Sequence, residues 1–248
     1  MTSPETNRIL LGLLLGVTAA GANVLGGSLV AHREWSRRYL NYFIALGAGF
    51  MLAVAFLEMV PESMKFSLRW APVLVLVGYC AIHLLEHTIT PHFHFGEETH
   101  AHEFVSSHTS NSVLAGLAAH AIFDGVAIGS GFVISNLLGW LIFVAIFLHK
   151  MPEGFTVASV MMASGRSRRT AMVSAIVLAL ATVVGVLVIS LAPRWVQAGL
   201  PLSAGVAIYV AATDLVPEVN REPGIRMALV FFAGVLLFLI LKLLAPTI

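Results

Sequence analysis

Eight runs of about twenty apolar residues dominate this chain and leave it few ways to fold. They cover residues 8–31, 39–60, 70–89, 111–133, 137–161, 170–192, 200–218 and 224–245. A hydrocarbon core about 30 Å thick is crossed by roughly twenty residues of helix. Only helices and closed barrels satisfy every backbone polar group inside lipid. A barrel strand would alternate apolar with polar residues, and these runs are continuous. Charged residues make up only 11% of the sequence and hydrophobic ones 58%, against about 25% charged in a soluble domain. The expected fold is therefore all-α, a single transmembrane domain over 1–248 with eight spanning helices in a lipid bilayer.

The first run is longer than the core of a signal peptide, and no small-x-small cleavage site precedes His32, so it reads as a spanning helix. Basic residues set the orientation. Arg33, Arg37, Arg38, Arg166, Arg168, Arg169, Arg221 and Arg226 fall on one side, against Arg8, Lys65, Arg69, Arg194 and Lys242 on the other. This bias places the odd-numbered loops in the cytoplasm and both termini outside, in the cell membrane. The net charge of +1 offers nothing to nucleic acid. A lone cysteine, Cys80, excludes an internal disulfide and a thiolate cluster.

Against this apolar background, two short patterns stand out. The fourth run contains His120-Ala-Ile-Phe-Asp124-Gly125 and the fifth His149-Lys-Met-Pro-Glu153-Gly154. A spacing of four is about one helical turn, so each imidazole shares a face with its carboxylate. A charged side chain at the centre of a membrane helix costs roughly 2.5–3.5 kcal/mol even on the lenient insertion scale. Polar pairs can merely bind helices together. Two pairs with one spacing on adjacent antiparallel helices point instead to a metal held by two nitrogens and two carboxylates, a donor set that suits zinc, iron, manganese or nickel. Pro152 removes one backbone donor between His149 and Glu153, which predicts a kink in helix five. Gly125 and Gly154 allow close helix approach.

Residues 48–62 read AGFMLAVAFLEMVPE and residues 204–218 read AGVAIYVAATDLVPE. Five helices separate the copies, so they cross the membrane in opposite senses. That pattern predicts inverted repeats, helices 1–3 related to 6–8 around helices 4 and 5, with a substrate site near the midplane. Glu58 and Glu62 close helix two and Asp214 and Glu218 close helix seven. Each pair either forms an acidic vestibule for cations or marks a wet helix end before which Pro61 or Pro217 stops the helix.

The loop joining helices three and four carries His92, His94, His100 and His102, with Glu97, Glu98 and Glu103, over about 90–110. Such a tract is a compositional signal for metal capture, here on the cytoplasmic side. Just before it, His83-Leu-Leu-Glu86-His87 fits H-x-x-E-H, in which two histidines hold zinc and a carboxylate activates water. A membrane-embedded zinc hydrolase is thus the alternative reading. The same residues could equally line a cytoplasmic exit.

HAIFDGVAIG at 120–129 and HKMPEGF at 149–155 resemble the fourth- and fifth-helix signatures of the ZIP (Zrt-, Irt-like protein) metal transporter family. Eight helices, a His-rich third loop and outside termini agree with that pattern. The resemblance implies import of a divalent metal, zinc before iron, manganese or cadmium, with His120, Asp124, His149 and Glu153 as ligands and no catalytic cofactor. It also implies a homodimer in which one helix bundle moves against another. Some members hold a second metal on oxygen ligands that follow each motif's first position. Here those positions are Ala121 and Lys150, and helix six has no carboxylate between Thr170 and Leu191. The expectation is one metal, with the Lys150 ammonium standing in for the second and pairing with Asp124 or Glu153.

Overall fold

The computed structural model describes residues 4–32, 37–88, 107–221 and 225–244. Among these residues, eight helices are long and apolar enough to cross a membrane: Glu5–Val30 (α1), Leu40–Phe66 (α2), Trp70–Thr88 (α3), Ser110–Ile134 (α4), Asn136–Ala163 (α5), Arg168–Leu191 (α6), Pro193–Arg221 (α7) and Ile225–Leu244 (α8). The His-rich tract with His92, His94, His100 and His102 lies outside the described residues.

Two spans run further than their prolines suggest. Proline lacks an N–H and crowds the carbonyl four residues back, which made Pro61 and Pro217 natural stops. Instead, α2 continues to Phe66 and α7 to Arg221. A π-helical turn lies just upstream in each, Ala55–Met59 in α2 and Val210–Leu215 in α7. The wider turn takes up the register mismatch that a proline introduces, and the helix resumes beyond it. Helix α5 likewise passes through Pro152 without interruption.

Contacts divide the helices into two groups. Helices α1, α4, α5 and α6 pack on one another, as do α2, α3, α7 and α8, and the groups meet where α2 faces α5 and α4 faces α7. Glycines set the closest approaches within each group. A Cβ on Gly154 of α5 would strike the Asn23 carbonyl of α1, and one on Gly26 of α1 would strike the Met151 carbonyl of α5. The same reciprocity joins Gly125 with Gly185 (α4–α6), Gly49 with Gly234 (α2–α8) and Gly78 with Gly205 (α3–α7). Without an aqueous hydrophobic effect between helices, this backbone proximity is the main source of association. None of the four reciprocal pairs bridges the two groups.

Ser135 turns α4 into α5. Its extended backbone breaks the helix, and its hydroxyl accepts from the Leu138 N–H at 3.2 Å as an N-cap. So short a link forces α4 and α5 to run antiparallel side by side, which brings the two His-x-x-x-acid motifs to one level.

Candidate metal centre

His120 and Asp124 project from α4, and His149, Lys150 and Glu153 from α5. All five are almost sealed from solvent, none more than 3% exposed. One ligand atom from each of His120, Asp124, His149 and Glu153 lies within 4.8 Å of the others, and no second such group of His, Cys, Asp and Glu occurs among the described residues.

Asp124 Oδ2 is the centre of the arrangement. His120 Nε2 lies 3.1 Å from it, His149 Nε2 3.2 Å and Lys150 Nζ 2.7 Å. Lys150 also reaches Glu153 Oε2 at 2.5 Å. Glu153 Oε1 and His120 Nδ1 are buried without hydrogen-bond partners among the described residues.

The backbone fixes the state of His149. Its Nδ1 is 2.9 Å from the Ala145 carbonyl, which can only accept, so the Nδ1 carries a proton. In the neutral ring the Nε2 lone pair then points at the carboxylate oxygen 3.2 Å away. Two acceptors face each other there, an arrangement that needs a proton or a metal cation between them. A second-position hydrogen bond of this kind is how metal-binding histidines are held and made more basic. Two imidazole nitrogens and two carboxylates match the ligands zinc accepts at about 2.0–2.2 Å.

A small cavity opens beside Asp124. Met51, Val54 and Met59 of α2, Ala127 of α4, Ile142, Ala145 and Ile146 of α5, and Ser203 and Ala207 of α7 line it. It therefore lies on the seam between the two helix groups. Ser203 spans that seam, donating to the Phe123 carbonyl of α4 at 2.9 Å. The two methionines and Ser203 were not singled out from sequence, since isolated Met and Ser in an apolar run carry no pattern.

The acidic residues at the helix ends are engaged. Glu58 pairs with Lys242 at 2.6 Å, Glu62 with Lys65 at 2.6 Å, and Glu218 with Arg221 at 3.2 Å. Asp214 is buried and accepts from Thr213 Oγ1 at 3.3 Å. None of these four joins the central cluster. The rings of His83 and His87 lie close, centroids 4.1 Å apart and tilted by 38°, and His87 Nδ1 donates to the His83 carbonyl. That bond takes one ring nitrogen of the H-x-x-E-H motif, while Tyr209 takes Glu86 as a hydrogen-bond partner.

The profile of the family described as ZIP zinc transporter matches residues 106–242, which include both motifs. The chain is 31% identical over 160 residues to zinc transporter ZIP9 of Xenopus tropicalis, covering 60% of this chain and 52% of that protein. It is 29% identical over 160 residues to zinc transporter ZIP9-B of Xenopus laevis, with the same coverage. It is also 31% identical over 137 residues to zinc transporter SLC39A7 of Mus musculus, covering 50% of this chain and 28% of that protein. The chain thus spans about half the length of the first relatives it matches.

Proposed function

The chain belongs to the ZIP zinc transporter family, and on that premise we propose that it moves divalent metal cations, zinc foremost, across a bilayer towards the cytoplasm. The family is one of transporters rather than enzymes, which removes the ground for a hydrolase built on His83, Glu86 and His87. The observation that carries the proposal is the convergence on Asp124 Oδ2 of two imidazole Nε2 atoms from different helices. An ion arriving from the cavity beside Asp124 would exchange its water for His120, Asp124, His149 and Glu153. Each lost water is replaced by a protein donor, so dehydration at mid-membrane is compensated.

Alternating access fits the division into two helix groups. The site belongs wholly to the α1, α4, α5, α6 group, while the cavity's other wall comes from α2 and α7. The four reciprocal glycine pairs, in which backbone meets backbone, stay inside each group, so one group can shift against the other without separating them. We take helices 1–3 and 6–8 to be inverted repeats, which would serve the same reading. One constant displacement in sequence carries Gly49 onto Gly205 and Gly78 onto Gly234, so one glycine pair maps onto the other, and the π-helical turns of α2 and α7 fall at matching positions.

Lys150, in this proposal, is the substitute for a second ion, because its ammonium already lies on both carboxylates. Glu58 and Glu62 at one end and Asp214, Glu218, Glu86, His83 and His87 at the other mark the two mouths, and the His-rich tract would gather ions after passage. Zinc uptake into proteoliposomes tests the assignment. Wild-type protein should accumulate zinc, and His149→Ala and Glu153→Ala should each lower uptake at least about tenfold, as expected when one bond of about 1.4 kcal/mol or more is lost at the site. Undiminished uptake in both variants would refute it.

A further inference from the structure

The sequence displacement that superposes the glycine pairs also relates the charges at the two mouths. It carries Glu58 onto Asp214, Glu62 onto Glu218, Lys65 onto Arg221, and Glu86 onto Lys242. The first three correspondences keep their sign, and the ion pair Lys65–Glu62 at one mouth has its counterpart in Arg221–Glu218 at the other. The fourth reverses sign. Beside Glu58 stands an ammonium, and the residue at the corresponding position, Glu86, brings a carboxylate close enough to act on the charge of Asp214. Four charged side chains therefore balance at the Glu58 mouth, whereas three acids and one base meet at the Asp214 mouth.

Geometry gives the reversal a consequence. Lys242 Nζ lies 2.6 Å from Glu58 Oε1 and 3.4 Å from the Leu57 carbonyl, the group that Pro61 deprives of its helical partner. The same ammonium sits over the Phe238 ring, its nitrogen 5.9 Å from the centroid. Carboxylate, freed carbonyl and aromatic face are what a cation binds, and here the cation is tethered. Glu58 adjoins Met59, which lines the cavity next to Asp124.

We infer that Lys242 is the residue that makes the two mouths unequal: its ammonium holds the place of a divalent cation on Glu58, so an arriving ion must displace it, while Glu86 adds a carboxylate to the opposite mouth. The inference rests on the transport reading. Under it, a repeat that would otherwise treat both faces alike acquires low cation affinity on one side and high affinity on the other, through a single pair of residues.

Proteoliposomes carrying the full chain in one orientation, given labelled zinc on each face in turn, test this. Lys242→Met should lower the half-saturating zinc concentration about three- to tenfold on the Glu58 face, the scale of one partly screened charge near a divalent ion. The other face should change less than about twofold on the same reasoning. Lys242→Arg should behave as wild type, and adding Glu58→Gln to Lys242→Met should abolish the gain. A purely structural tether would lower the maximal rate and leave half-saturation alone. Unchanged half-saturation in Lys242→Met, or equal changes on both faces, would overturn the inference while leaving the transport reading intact. Absence of uptake by wild type would remove the reading itself. Should Lys242→Met fail to fold, Glu86→Lys provides the reciprocal test: it should raise half-saturation on the Asp214 face, and no change there would overturn the inference equally.

Discussion

Lys150 Nζ lies 2.7 Å from Asp124 Oδ2 in a site sealed from solvent. The same ammonium bonds Glu153, so one fixed cation sits on both carboxylates of the candidate metal centre. Buried ions of one sign left without a partner cost about 3–5 kcal/mol, and Lys150 prevents that cost when no metal is present. A second divalent ion would have to occupy nearly the space the ammonium fills, within bonding distance of the same oxygens.

Replacing Lys150 by methionine should therefore weaken the metal-free protein and strengthen its response to metal. In chelator, the melting temperature of Lys150→Met should fall, in line with a loss of about 3 kcal/mol, and zinc should restore more of it than zinc adds to wild type. Wild type loaded with zinc and then desalted should hold one tightly bound ion per chain. Two such ions in wild type would show that Lys150 does not take the place of one.

The close glycine contacts predict a sharp contrast between neighbouring positions. Gly154→Val would drive a side chain into the Asn23 carbonyl, a backbone atom that cannot swing aside. Overpacking of this sort costs about 1–3 kcal/mol, and thermal denaturation in detergent should register it. Gly21→Ala, where an added Cβ meets nothing within 4 Å, should leave the melting temperature unchanged. Equal behaviour of the two variants would contradict the role given to the reciprocal pairs.

Acid should release the metal. Binding requires the Nε2 lone pairs of His120 and His149, and protons compete for them. Zinc affinity should therefore fall as the pH is lowered, by up to two protons per ion. Zinc titrations at about pH 7.5 and about pH 5.5 measure this. Equal affinity at both would show that the histidines are not ligands.

The eight spans and the two His-x-x-x-acid motifs could be read directly from the sequence, because each stands against an unfavourable alternative. Twenty apolar residues have no aqueous surface to cover, and a histidine paired with an acid in lipid has no cheap structural use. What stayed hidden depends on contacts between distant helices or on small backbone changes. The π-helical turns at Ala55–Met59 and Val210–Leu215 leave no mark in a run of Ala, Val and Leu, so Pro61 and Pro217 looked like stops. The acids Glu58 and Glu62 read equally as an acidic vestibule or as a wet helix end, and Lys242, 184 positions from Glu58, gave no local sign that it would be the partner of one of them. Pairing of Lys150 with Asp124 or Glu153 was expected from the motif, and it engages both.

The central claim is that two imidazoles and two carboxylates of α4 and α5 hold the transported ion. X-ray absorption at the zinc edge, on protein loaded with one zinc per chain, measures that shell directly. A shell of two imidazole nitrogens and carboxylate oxygens at about 2.0–2.2 Å, lost in a His120→Ala/His149→Ala double variant, is the result predicted here. An all-oxygen shell of bound water, or a shell unchanged by the double variant, would contradict it.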